Sequence, residues 1–411
     1  MCGIAGFFNY KTKFPVEHEQ LENVLESMRY RGPDGIGFYK NNDIIIGNVR
    51  LAIQDVTSAG NQPIYNEDKS IIVVFNGEIY NFREIKDLLE RKNHVFYTRT
   101  DTEILVHAYE EFGLEMANRF NGMFAFALFD AKKRILILGR DRTAQKPLFF
   151  HRNKNGVFFA SEIKAMLPHL DKLSLNTESV RTFLSLGYTL EPQTILNEIE
   201  ALEPGVIHTF SYEGESIKKF WQIQNQNSHC FNNLDEWKEK ADQVLRNSVK
   251  RHLVSDVPIT LLLSGGVDSS LLALYLMEEN KILNAFTGSF IGFEDHDEYD
   301  VAEKLGAYCG FQPERIILNN SVLAGNLNEF LERSSQPQGD YSGLATYSVA
   351  KEISKEYKVV LGGDGGDELF GGYPTYILPY LSKKYGFIPQ KLISLSHRFL
   401  SLFVNKRKYL S

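Results

Sequence analysis

The texture of this 411-residue chain changes near residue 211, and that change limits its fold more than any other feature. Ahead of it stand short runs of β-branched and aromatic residues: DIIIGNVRLAI (43–53), SIIVVFNGEI (70–79), MFAFALFD (123–130), RILILGRD (134–141) and GVFFAS (156–161). Ala131-Lys132-Lys133 separates two such runs as a hairpin turn would, and alternation in MFAFALF puts Phe124, Phe126 and Leu128 on one face of a half-buried strand. Thr100-Asp101-Thr102-Glu103 has the form of a capping box ahead of ILVHAYEEF. These signals predict a first domain, 1–210, built mostly from antiparallel sheet. Residues 211–234 are polar and rich in Asn and Gln, the composition of a linker. Beyond them helix and strand alternate: a helix near 235–253, the strand PITLLL, a glycine loop, the helix DSSLLALYLMEEN, a strand near 284–291, helices near 297–309 and 320–334, and the strand YKVVLGG (357–363). That rhythm predicts a parallel α/β sheet over 235–411.

Composition narrows the function. Lys and Arg number 45 against 52 Asp and Glu, a net charge of −7, so no basic face for nucleic acid is expected. Cys2, Cys230 and Cys309 are too few and too scattered for a disulfide framework or a cysteine zinc site. The N-terminus lacks the pattern of a secretory signal, and LISLSHRFLSLFV (392–404) is too short and too interrupted to span a bilayer. A reducing cytoplasm is the expected compartment.

Two places could carry chemistry. Loss of Met1 would leave a thiol and a free α-amine on Cys2, and an amine of pKa about 7.7–8.0 can accept a thiol proton near neutrality. On position alone this reading stands level with an unremarkable terminal cysteine. In LLLSGGVDSS (261–270) an apolar strand runs into Ser264-Gly265-Gly266 and then a helix near Asp268, so converging backbone N–H groups and the helix N-terminus make an anion cradle. It lacks GK[ST] and is not a Walker loop. VVLGGDGGDELFGGY (359–373) is a second glycine-rich, acidic loop after a strand.

MCGIAGFF, RGPDG (31–35), NVRLAIQD (48–55), FNGEIYN (75–81), RTDTE (99–103) and RDRTAQKPLFF (140–150) together resemble the class II glutamine amidotransferase domain, an N-terminal-nucleophile αββα sandwich. The resemblance implies that Cys2 attacks the side-chain amide of glutamine, that Asn76 and Gly77 form the oxyanion hole, and that Arg50, Ile53, Asn76, Glu78 and Asp101 bind glutamine. A planar Arg50 suits the α-carboxylate, and Asp101 with Glu78 suits the α-ammonium. The family usually has Gly where Ala144 stands, so a reshaped loop is expected there.

The SGGxDS motif resembles the pyrophosphate loop of N-type ATP pyrophosphatases, and the 359–373 segment resembles the corresponding loop of asparagine synthetases. The likeness implies ATP contacts from Leu262, Ser264, Gly265, Gly266, Asp268, Ser269, Ile291, Gly362 and Gly363. It further implies Mg²⁺ on Asp268 and Asp367, a catalytic role for Asp364 where many members carry Glu, and an acidic residue near substrate at Asp340. Glutamine, aspartate and ATP are the implied substrates, and a homodimer is a family expectation. No Lys-x-Asp-Arg occurs before Ser411, so the resemblance also implies a C-terminally incomplete synthetase half. Two alternatives stay open: amidation of another carboxylate such as a polysaccharide sugar acid, and a glutaminase or regulatory binder with an inactive second domain.

Overall fold

The computed structural model describes residues 1–12, 18–223, 233–279, 284–291, 297–340 and 342–377. Cys230, residues 224–232 of the expected linker and the apolar stretch at 392–404 lie outside them. Two six-stranded antiparallel sheets form the first domain. In one, the strand order is Glu200–Ala201, Phe149–Arg152, Val157–Ala160, Gly3–Phe8, Ile44–Arg50, Gly35–Lys40. In the other it is Gly214–Lys219, Val206–Ser211, Ile135–Arg140, Gly122–Asp130, Ile71–Ile79, Ile64–Tyr65.

Apolar side chains explain the stacking. Ile4, Phe8, Ile44 and Ile46 of the first sheet pack against Ile72, Val74, Ala125, Ala127 and Phe129 of the second. Outside the second sheet, Val73, Phe75, Phe124, Phe126 and Leu128 meet Ile85 and Leu89 of helix Phe82–Glu90 and Ile104 and Leu105 of helix Glu103–Phe112. Outside the first, Leu21, Val24 and Leu25 of helix His18–Ser27 cover Ala5, Ile45 and Val49. The result is the αββα sandwich.

Three local expectations need correction. The Gly122–Asp130 strand is buried on both faces from Phe124 onward, because a sheet covers one side and helices the other. Residues 214–219, read as linker, form a strand hydrogen-bonded to Val206–Ser211, so the second sheet runs past residue 210. The capping box is also altered. Thr100 Oγ1 accepts the Thr102 N–H at 2.8 Å, but the Glu103 carboxylate turns back to the N–H groups of Tyr97 and Thr98 (2.8 and 2.7 Å).

The second domain opens with helix Leu234–His252, whose Asn233 side chain caps the Glu236 N–H at 2.8 Å. Its four strands among the described residues are all parallel, in the order Glu314–Leu318, Ala285–Phe290, Ile259–Leu262, Val359–Leu361. The Glu314–Leu318 strand is an addition to the sequence reading. Two exposed Glu and Arg positions at its start and an exposed Ile317 mask the apolar run, as befits an edge.

Candidate active site

Cys2 directly precedes the Gly3–Phe8 strand, and the register Gly3↔Val49 brings it beside the end of the Ile44–Arg50 strand. Its Sγ accepts the Leu51 N–H at 3.3 Å, and its carbonyl accepts Arg31 Nε at 2.9 Å. Arg31 is itself anchored by Glu162 at 2.9 Å, a pair that is buried on both sides. Burial pushes the Cys2 thiol up. The α-amine of Met1 is buried beside it and pushed down to about 6 by desolvation, although the Met1 side chain is half exposed.

The other sheet contributes Asn76 and Gly77 from the Ile71–Ile79 strand. Asn76 is 1% exposed, and its Nδ2 is buried without a hydrogen-bond partner. An orphaned buried amide donor costs roughly 1–3 kcal/mol, which a ligand acceptor would recover. Gly77 is required for a different reason from the one its position suggests. A Cβ there would lie 2.3 Å from the Met123 carbonyl of the paired strand.

Arg50 is buried and donates to the carbonyls of Thr57 (3.0 Å), Gln54 (3.0 Å) and Asp55 (2.5 Å) and to Asn61 Oδ1 (2.9 Å). Those bonds fix its guanidinium at the cavity wall. Asp101, just ahead of helix Glu103–Phe112, accepts the Ile79 N–H at 2.7 Å. Glu78 accepts from Gln54 Nε2. Burial raises both carboxyl groups above the ordinary range, and Asp101 adds repulsion at Glu78. A pair of raised carboxyls at one cavity suits a cationic ligand.

Cys2, Arg50, Ile53, Asn76, Gly77, Glu78 and Asp101 therefore line one cavity of about 270 Å³. Lys146 and Gln54 line it too. Lys146 is 7% exposed, lies 3.1 Å from Met1 Sδ, and has its ammonium disfavoured by burial. It stands in RDRTAQKPLFF, a segment in which nothing singles out the lysine. Ala144 of that segment has φ 57°, so the loop holds a left-handed turn despite its Cβ.

The second domain closes one side of this cavity with Lys358, Val359 and Val360. Lys358 Nζ meets Asp34 at 2.8 Å, and the same Asp34 oxygen accepts the Ala52 N–H. Asp256 accepts the Asp55 N–H at 2.7 Å and donates its own N–H to Ile53 at 3.0 Å.

In the second domain, Gly265 has φ 76°, and Gly266 precedes helix Val267–Glu278 with no side-chain cap. The first helical N–H groups are thus open to an anion. Ser264 and Ser269 bind each other, Oγ to Oγ at 3.0 Å. The loop after Val359–Leu361 packs on this turn: a Cβ on Gly366 would lie 2.1 Å from an Asp268 oxygen, and one on Gly363 would lie 3.0 Å from Asp268 Cβ. Asp268, Gly362, Gly363 and Asp364 line one cavity of about 590 Å³. Asp367 is turned toward Gly372, whose added Cβ would strike its Oδ1. Ile291 is 54% exposed at the end of the Ala285–Phe290 strand, and Leu262 packs into the core beside Phe286 and Ile316. Neither lines that cavity. Asp340 caps helix Ser342–Ile353 through the Ser342 N–H at 2.8 Å.

A family model described as a glutamine amidotransferase domain matches residues 1–221, and one described as asparagine synthase matches 240–410. The chain belongs to the glutamine-hydrolysing asparagine synthetase family. Asparagine synthetase (glutamine-hydrolyzing) 1 of Bacillus subtilis is 32% identical over 95% of this chain and 62% of its own length, so this chain spans about three fifths of that relative. A Methanocaldococcus jannaschii asparagine synthetase (glutamine-hydrolyzing) 2 is 33% identical over 92% of this chain and 77% of its own. Among solved structures, the glutamine phosphoribosylpyrophosphate amidotransferase of B. subtilis with ADP and GMP superposes with a TM-score of 0.40 at 17% identity, covering 70% of this chain and 66% of that one. No helix among the described residues of this synthetase-family chain is long and apolar enough to cross a membrane.

Proposed function

We propose that the chain performs glutamine-dependent amidation, with aspartate as the acceptor and asparagine as the product. The observation that carries the first half is the convergence of the Cys2 thiol, the orphaned Asn76 amide, the fixed Arg50 guanidinium and the Glu78–Asp101 pair on one cavity. Removal of Met1 exposes the α-amine of Cys2 beside the thiol, where its neutral form can take the thiol proton. The thiolate adds to the amide carbon of glutamine, and the oxyanion receives hydrogen bonds from Asn76 Nδ2 and the Gly77 N–H. The protonated amine returns its proton to the leaving nitrogen. Ammonia departs, and water hydrolyses the thioester to glutamate.

The second half activates a carboxylate. The open N–H groups at the start of helix Val267–Glu278 cradle the phosphates of ATP, with Ser264, Gly266 and Ser269 beside them. Asp268 lines this cavity and offers a hard carboxylate donor of the kind Mg²⁺ takes, where that ion would neutralise phosphate charge, whereas Asp367 is turned toward Gly372 and is not among the cavity's lining residues. The acceptor carboxylate attacks the α-phosphorus, pyrophosphate leaves, and ammonia then displaces AMP from the acyl carbon. Asp364 stands at the rim of this cavity, where an exposed carboxylate can contact acceptor or ammonia. Val359 and Val360 give the glutamine cavity an apolar wall on the synthetase side, which supports passage of neutral ammonia between domains.

A glutaminase assay run beside ATP–pyrophosphate exchange with aspartate tests this reading. Glutamate release together with aspartate-dependent exchange supports it. Exchange that ignores aspartate and responds to another carboxylic acid would replace the acceptor, and failure of both assays would reject the enzymatic reading.

A further inference from the structure

Outside both cavities, four side chains converge on the helical layer of the first domain. Glu67 sits in the turn between strands Ile64–Tyr65 and Ile71–Ile79, His94 in the turn after helix Phe82–Glu90, and His107 and Glu110 on one face of helix Glu103–Phe112. One ligand atom from each of Glu67, His94 and His107 lies within 4.8 Å of the other two. Glu110 joins them: its Oε2 is 3.2 Å from His107 Nδ1 and 3.5 Å from His94 Nδ1, while Glu67 Oε1 is 3.9 Å from His107 Nδ1. Nitrogen and oxygen ligands at 2.0–2.2 Å around a tetrahedral Zn²⁺ lie roughly 3.3 Å apart, so Glu110 already stands near ligand spacing from both histidines, and Glu67 would have to move in toward His107 by about 0.6 Å.

The surroundings match the inner group. Each imidazole turns Nδ1 inward and faces a carboxylate with Nε2: His107 toward Glu103 at 3.5 Å and His94 toward Glu111 at 3.6 Å. Glu103 is fully buried and held by the Tyr97 N–H, the Thr98 N–H and Thr98 Oγ1 (2.8, 2.7 and 2.6 Å). Asn66 Nδ2 holds the other oxygen of Glu110 at 2.7 Å. A carboxylate hydrogen-bonded to the far nitrogen of a ligand histidine fixes its tautomer and raises its basicity, and His107 Nε2, which has no hydrogen-bond partner among the described residues, has Glu103 as the carboxylate nearest to take that place. Two inner carboxylates balance a divalent charge. The Glu67 side chain is half exposed and gives an ion a path from solvent, whereas His107 is wholly buried.

We propose that Glu67, His94, His107 and Glu110 bind one divalent transition-metal ion of the Zn²⁺ type. Bound there, the ion ties the turn after helix Phe82–Glu90 to helix Glu103–Phe112. It thereby stiffens the Tyr97–Thr102 segment that carries Asp101 into the glutamine cavity. The site is structural, and it stands apart from the Mg²⁺-type carboxylates of the second domain.

Equilibrium dialysis of the full chain against Zn²⁺ alone, together with the visible spectrum of the Co²⁺-loaded protein, tests it. One ion per chain is expected, with a tetrahedral Co²⁺ spectrum free of thiolate charge transfer. His94→Ala should weaken binding at least about 100-fold, since even outer partners of metal ligands are worth 10–100-fold. Glu67→Gln, at a position half open to solvent, provides a second variant that should weaken binding without threatening the core. Zn²⁺ should raise the melting midpoint of the wild type and leave that of His94→Ala unmoved. Absence of bound metal, binding indifferent to both substitutions, or a thiolate band marking Cys2 instead would each overturn the proposal and leave the cluster as ion pairs.

Discussion

The two halves of the chain prepare for charged ligands in opposite ways. In the first, Arg50, Asn76, Glu78 and Asp101 meet at the ends of two stacked sheets, and Arg50, Asn76 and Asp101 are almost wholly withdrawn from water. Their cost is visible as an orphaned amide and two carboxyls raised above their ordinary range. In the second, an uncapped helix start and an exposed Asp364 border a wider cavity, and the turn at Ser264-Gly265-Gly266 lies outside its lining. The difference teaches that the glutamine cavity is electrostatically preorganised, so its ligand relieves strain already present. The proposed nucleotide site would rely on charge that arrives with its ligand.

That contrast can be broken by substitution. The largest expected effect is at the nucleophile: Cys2→Ala should reduce glutamate release by on the order of 10⁴-fold or more while leaving any ammonia-dependent activity intact. Wild-type glutamine hydrolysis by that variant would show that the thiol is not the attacking group. Asn76→Ala comes next, with a loss on the order of 10²–10³ in kcat, the usual consequence of removing one oxyanion donor. A loss of tenfold or less would mean that the amide only shapes the cavity.

The pH dependence sharpens the comparison with a smaller effect. Asp101 is pushed up to about 7, so ligand-free protein holds a proton on the Glu78–Asp101 pair in the weakly acidic range. The ammonium of glutamine favours the ionised form. Glutamine affinity should therefore fall by up to about tenfold per pH unit below about 7, and binding there should release a proton. Calorimetry in two buffers of different ionisation enthalpy would read that proton, and a pH-independent affinity between 5.5 and 7.5 would remove the raised pair from the account. Smallest is Ala144→Gly. An L-residue at φ 57° carries roughly 1–2 kcal/mol of strain, partly offset by the entropy of glycine, so the variant should gain about 0.5–1 kcal/mol in chemical denaturation. A destabilised variant would show that Ala144 contributes packing that outweighs its backbone.

Much of this architecture was legible in sequence because period and punctuation survive without tertiary context. The alternation of PITLLL, the SGG turn and the following helix located the parallel sheet and its anion-binding end. Residues 122–130 gave the strand but hid its second buried face, since alternating Phe and Ala are both apolar and only packing reveals that each side is covered. Strand Gly214–Lys219 escaped because its exposed Glu, Ser and Lys side chains read as linker, and its pairing with Val206–Ser211 is a property of the sheet. Cys2, Asn76 and Asp101 were legible through motif residues, whereas Lys146 and the Lys358–Asp34 contact were not. The lysine is buried against a tertiary pattern, and the contact joins residues 324 apart in sequence. The His94–His107 cluster has the same origin: its members come from two turns and one helix, with no fixed spacing to announce them.

The central claim is that the buried cavity at Cys2 is built to receive glutamine, and covalent trapping tests it most directly. A glutamine analogue bearing an electrophile at the side-chain carbonyl carbon should be incubated with the full chain and the adduct located by peptide mass spectrometry. The account predicts one adduct per chain, on Cys2 and not on Cys230 or Cys309, formed far more slowly in Asp101→Asn and prevented by excess glutamine. Equal labelling of all three cysteines, or labelling of Cys2 that neither glutamine nor the Asp101 substitution slows, would contradict it.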